Sequence, residues 1–179
     1  MKRIQFLIVA LCALASNISA EHHDHSHDHE FTQQHIHDHG KVVATISHAQ
    51  NQIYLHLTLP AYNAFGFEHA PNNEQQQTLV DSALKKLSQT SNVVEFQPSC
   101  ITDSTNIVDS HKDMSSTVDK HFDVEIEYIF TCPSNNSILI SFSLFKTIPS
   151  INKIEVQYIS DTKQRLVTLD AEHHTITID

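Results

Sequence analysis

Eight of the fifteen histidines of this 179-residue chain fall between Glu21 and His39: His22, His23, His25, His27, His29, His35, His37 and His39. Asp24, Asp28, Glu30 and Asp38 are interleaved with them. A packed core has no use for such a run. Neutral imidazole is the commonest protein metal ligand, and imidazole with carboxylate suits Zn, Cu, Ni and Fe. Two tracts stand out, His22-His-Asp-His-Ser-His-Asp-His29 and His35-Ile-His-Asp-His39. Alternate residues of an extended chain share one side, and a flexible chain can close several imidazoles around one ion. Zn²⁺ takes about four ligands in a tetrahedron, which these tracts offer in many registers. That multiplicity suits capture and exchange rather than one fixed geometry. The rival interpretation is a solvated linker that binds nothing.

The segment before the run reads as a secretory signal. Lys2 and Arg3 open it, Phe6 to Ala15 is apolar, and Asn17-Ile-Ser-Ala20 offers a cleavage site after Ala20. The apolar run is shorter than the roughly 20 residues a membrane span needs. The expected organisation is a signal over 1–20, a His-rich arm over 21–40 that is disordered without metal, and a single domain over 41–179. An exported protein of this kind, periplasmic and off the membrane after cleavage, would begin Glu21-His22-His23. A free amine with His at the third position binds Cu²⁺ or Ni²⁺ in a square plane, a geometry those ions favour over Zn. Loss of Lys2 and Arg3 takes the net charge from −10 to −12. That balance argues against nucleic acid and anionic membrane as partners and suits divalent cations.

Two cysteines remain after cleavage, Cys100 and Cys132. An even pair in an exported chain reads as a disulfide, with thiolate metal ligation as the alternative.

The domain that must position these ligands reads as α+β, a β-rich antiparallel sheet with one main amphipathic helix packed on it. Lys41–Ile46 and Gln52–Leu59 predict a hairpin, with Ile53, Leu55, Leu57 and Leu59 pointing inward. Residues 60–67 read as a loop. Asn72 or Asn73 caps a helix that runs to about Ser88, its apolar face formed by Leu79, Val80, Ala83, Leu84 and Leu87. Further strands are expected at Asn92–Phe96, near Ile101, and at His121–Phe130, Ile138–Leu144, Lys153–Ile159, Arg165–Leu169 and Thr175–Ile178. Thr102–Lys120 reads as a polar loop, and Phe145–Asn152 as the place for a short helical turn.

Candidates inside the domain are Glu68-His69 just before the helix, and His121, which shares a strand face with Asp123. His111, between Asp109 and Asp113, is a further low-affinity candidate. His48, His56, His173 and His174 read as ordinary surface histidines. No His-Glu-x-x-His pair, phosphate loop or nucleophile elbow occurs, so the expectation is a binding protein and not an enzyme. The alternative functions are copper or nickel storage or resistance and, further off, a metal-dependent hydrolase.

Gly66-Phe-Glu-His-Ala-Pro71, Glu125-Ile-Glu-Tyr-Ile-Phe-Thr-Cys132 and Leu144-Phe-Lys-Thr-Ile-Pro-Ser-Ile-Asn-Lys-Ile-Glu-Val-Gln157 are distinctive segments. With the arm ending His37-Asp-His39-Gly40, the chain resembles the ZrgA-type periplasmic zinc-binding proteins from about His35 to Leu169. The resemblance implies zinc scavenging in support of ABC-type zinc uptake. It implies ligands at His37, His39, His69 and His121, and a Cys100–Cys132 bridge. The chain departs from some members in lacking a long His/Asp/Glu-rich insertion between the cysteines. That departure places more of its zinc capacity on the arm.

Overall fold

Alternation between Gln52 and Pro60 translates directly into burial. The strand formed there, β2 (Gln52–Pro60), buries Ile53, Leu55, Leu57 and Leu59 completely. It pairs antiparallel with β1 (Lys41–Ala49) across a tight turn at Gln50 and Asn51, where Gln50 adopts a left-handed φ of 57°. Two-residue hairpins demand such positive φ values, and a chain with two glycines has placed neither of them here. This computed structural model describes residues 38–109, 122–133 and 137–179.

Strand β5 (Asp123–Thr131) lies antiparallel on the other side of β2 and buries Val124, Ile126, Tyr128 and Phe130. The sheet extends beyond β5 through β4 (Ile101–Asp109), and beyond β1 through β7 (Lys153–Ser160) and β8 (Gln164–Leu169). Its order is β4-β5-β2-β1-β7-β8. A second sheet, ordered β3-β6-β9, joins β3 (Glu95–Gln97), β6 (Ile138–Ser141) and β9 (Thr175–Ile178). The Phe96 and Phe130 rings, 4.5 Å apart, connect the two sheets.

The β-rich α+β character is as expected, but the single antiparallel sheet is not. Among the described residues there are two sheets, and the larger is mixed, because β1 and β7 run parallel. Side-chain alternation reports which face a strand buries, not the direction of its neighbour. Residues 102–109, expected as loop, form most of β4. Side chains along this edge strand are largely exposed, so apolar alternation is weak, and its backbone pairing with β5 holds it in place.

Three short α-helices complete the described residues. Helix α1 (Ala61–Phe65) replaces the expected loop and begins where β2 ends. Helix α2 (Glu74–Leu87) starts at Asn73, whose side chain accepts the Gln76 amide proton at 2.9 Å. It buries Val80 and Leu87 against the core, whereas Leu79, expected on the same face, is half exposed. The Tyr128 phenol donates to the Leu87 carbonyl and anchors the end of α2 to the sheet. Burial raises the pKa of that phenol. Helix α3 (Leu144–Thr147) overlaps the region expected to turn helically and begins at Leu144, expected as the end of the preceding strand. Cys100 and Cys132 form a disulfide, so neither offers a thiolate to a metal. No described helix is long and apolar enough to cross a membrane.

Candidate metal centre

The domain's first residues are held from several directions. Asp38 accepts the Lys41 amide proton through its carbonyl at 2.9 Å and pairs with Lys153 through its carboxylate at 3.0 Å. That carboxylate raises the Lys153 pKa, first by hydrogen bonding and then by charge. Gly40 has φ +90°, a left-handed conformation suited to glycine. A Cβ here would fall onto the Asn152 side-chain amide and lie 3.1 Å from the Ser150 carbonyl oxygen. The Gly40 carbonyl accepts from the Asn152 and Lys153 amides, at 2.7 and 3.1 Å. Its N–H donates to the Asn63 side-chain oxygen at 2.9 Å.

Between these fixed neighbours sits His39. Its ring stacks on Tyr62 of α1, with centroids 4.5 Å apart and planes 16° apart. Its Nε2 lies 2.8 Å from Oε1 of Glu68, 29 residues away in sequence. The His39 side chain is half exposed and the Glu68 side chain more enclosed. An imidazole nitrogen and a carboxylate oxygen facing each other at a partly open surface are suited to share a Zn²⁺ ion. Tetrahedral coordination at ordinary bond lengths would put those atoms about 3.3 Å apart. A shift of about half an ångström would therefore turn the hydrogen bond into a chelating pair.

His69 has a similar aromatic support, stacked on Phe67 at 5.0 Å. Its Nδ1 lies 2.8 Å from the Ala70 carbonyl oxygen, closer than the Asn72 amide nitrogen at 3.3 Å. With Nδ1 protonated toward that carbonyl, the lone pair would be on Nε2. This is the tautomer that metal-binding imidazoles hold through their outer partners. Asp123 begins β5 opposite Pro60, and the neighbouring Phe122 carbonyl accepts the first α1 amide, that of Ala61, at 2.8 Å. His121 is the residue before Phe122 in the sequence and lies outside the described residues.

His22, His23, His25, His27, His29, His35, His37 and His111 also lie outside the described residues, as does the signal segment. Of the expected site residues, the structure joins His39 to Glu68. Among the described residues, no group of three or more His, Cys, Asp or Glu side chains is placed to hold a metal ion. Two contributors to the junction were not anticipated, Tyr62 and Asn63. Asn63 is a polar residue within the apolar stretch Ala61–Phe67, a signal that it was destined for a specific buried hydrogen bond.

A second His–Glu grouping lies on the outward face of the large sheet. His56 Nε2 is 3.9 Å from Glu125 Oε2. Glu127, opposite His56 in the β2–β5 pairing, accepts from the Tyr54 hydroxyl at 2.7 Å and from the Asn106 amide at 3.1 Å. These bonds, that from Tyr54 first, lower the Glu127 pKa.

No curated protein matches the chain. Residues 36–178 match the family described as ZrgA family zinc uptake protein. The match spans both sheets, the three helices and the His39–Glu68 junction, and by it the chain belongs to the ZrgA family of zinc uptake proteins.

Proposed function

We propose that this chain is an exported, non-enzymatic periplasmic protein that captures Zn²⁺ and supports its uptake through an ABC-type transporter. The observation that carries this proposal is the His39–Glu68 pair, which stands where the histidine-rich arm enters the domain of a zinc uptake family member. The arm gathers Zn²⁺ through interchangeable sets of imidazoles. The junction supplies a fixed imidazole and carboxylate, and the coordination is completed by histidines outside the described residues, His37 or His121. Delivery is a ligand exchange, with no bond made or broken in a substrate. Imidazole must be neutral to bind metal, so capture weakens as pH falls through the ordinary histidine range near ~6.5.

The test is chelator-buffered zinc titration of the full exported chain, followed by NMR at the His39 ring. Zinc-dependent shifts at His39 that vanish in Glu68→Ala support the proposal. A His39 ring indifferent to zinc at saturation overturns it. Fractionation of expressing cells, with zinc-limited growth of a deletion strain, tests export and uptake.

The sequence Glu21-His22-His23 favours a second reading, copper or nickel binding at a processed amino terminus. Cu²⁺ titration of a chain verified to begin at Glu21 tests it. Absence of the visible d–d band of planar nitrogen coordination counts against it.

A further inference from the structure

We propose that Asn63 positions His39 for zinc; this inference rests on the reading of the His39–Glu68 pair as a zinc site. Among the described residues Asn63 is the buried polar side chain, 8 % exposed in a core otherwise apolar. Burying an amide is unfavourable unless its donors and acceptor are satisfied. Asn63 satisfies them with two segments distant in sequence. Its Oδ1 accepts the Gly40 N–H, and its Nδ2 donates to Ser150 Oγ at 2.9 Å and to the Ser150 carbonyl at 3.2 Å.

The arrangement acts on His39 from two sides. The peptide that follows His39 is the one whose N–H Asn63 binds, so the amide fixes the backbone from which the imidazole projects. Tyr62, the preceding residue of α1, carries the ring on which that imidazole rests. The Gly40 carbonyl is held by the Asn152 and Lys153 amides, and a Cβ at Gly40 would run into the Asn152 side chain. One short helix therefore sets both the origin and the plane of the His39 ring, and leaves Nε2 directed at Glu68. A ligand ordered before the metal arrives loses less conformational freedom on binding than the same residue in a polar arm. Groups that orient a metal ligand without touching the metal typically change affinity by 10–100-fold.

The experiment uses the full chain in chelator-buffered zinc. The Gly40 amide and His39 ring resonances report on this site and not on the arm. Wild type, Asn63→Ala, His39→Ala and the double variant are compared, with Ser150→Ala as a milder variant that retains the Asn63–Gly40 bond. The expected result is a loss of about tenfold in zinc affinity at the junction for Asn63→Ala. At the junction, read at the Gly40 amide, His39→Ala loses at least as much, and the double variant is no weaker than His39→Ala alone. Ser150→Ala should lose a few-fold, with a shifted Gly40 amide. An Asn63→Ala protein that melts earlier but retains wild-type zinc affinity would falsify the positioning role, leaving Asn63 a structural staple. If Asn63→Ala does not fold, unchanged zinc affinity in Ser150→Ala overturns the role instead. Unchanged zinc affinity in His39→Ala identifies a different failure, that of the junction as a zinc site.

Discussion

Among the described residues two regions bring histidine close to glutamate, and they do so by different means. At the junction, His39 and Glu68 face each other at 2.8 Å from irregular segments at the edge of the domain. On the outward sheet face, His56 and Glu125 are 3.9 Å apart on neighbouring strands, with Glu127 directly opposite His56. The strand pairing fixes the second group by register. The first depends on contacts among α1, the chain before β1 and the chain before β7. Their chemistry differs accordingly. Glu127 is already engaged by Tyr54 and Asn106, so a metal there would have to displace satisfied hydrogen bonds. Glu68 faces an imidazole that is half exposed and supported by Tyr62. Proximity of ligand-type residues is therefore a poor guide by itself; the two groups differ in separation, 2.8 Å against 3.9 Å, and in the elements that hold them.

The largest expected effect tests whether the disulfide stands apart from both regions. Cys132 follows the end of β5 remote from Asp123, and a strand of this length separates its ends by about 27 Å. Removing the bridge with paired alanines should lower stability by roughly 3–4 kcal/mol in chemical denaturation. Junction zinc affinity should be unchanged, and a parallel loss would tie the bridge to the site. The next effect divides the two His–Glu groups directly. His39→Ala should weaken zinc binding at the junction by at least as much as losing an outer partner does, roughly 10–100-fold, while His56→Ala should leave it unchanged. Equal losses, read at the Gly40 amide, would erase the difference between the two His–Glu groups.

Gly40→Ala probes the junction's backbone. Forcing a Cβ into this left-handed position against Asn152 and Ser150 should destabilise the fold by about 1–3 kcal/mol and weaken zinc binding with it. A variant with wild-type melting would show the segment to be looser than its hydrogen bonds imply. The smallest effect belongs to the sheet face. The folded-state Glu127 pKa is lowered, chiefly by the Tyr54 hydroxyl and then by the Asn106 amide. The associated stability is complete above the ordinary glutamate range and is lost as pH falls through the folded value. Tyr54→Phe should move the Glu127 carboxyl titration back upward in NMR, with zinc binding at His39 unaffected. A Glu127 titration that stays in place would contradict this assignment of cause.

Much of the framework is legible residue by residue. The inward parity of Ile53 to Leu59 and of Val124 to Phe130 follows from the two-residue strand period and is realised as complete burial. The α2 start at Asn73 follows from capping chemistry, and Cys100 pairs with Cys132 as expected. The ligand types were legible too, since His39, Glu68 and His69 declare themselves by identity. What local pattern could not supply was partnership between distant segments. The parallel pairing of β1 with β7, the edge strand β4, and the contact of His39 with Glu68 across 29 residues all depend on backbone pairing or loop closure, which leave little local trace. Composition alone determined that this chain carries residues of metal-ligand type in excess of any structural need. Only the tertiary structure decided that His39 is set by Gly40, Tyr62 and Asn63 against Glu68. Fixing a ligand in space requires contacts from several parts of the chain at once, and those contacts exist only after the sheet has closed.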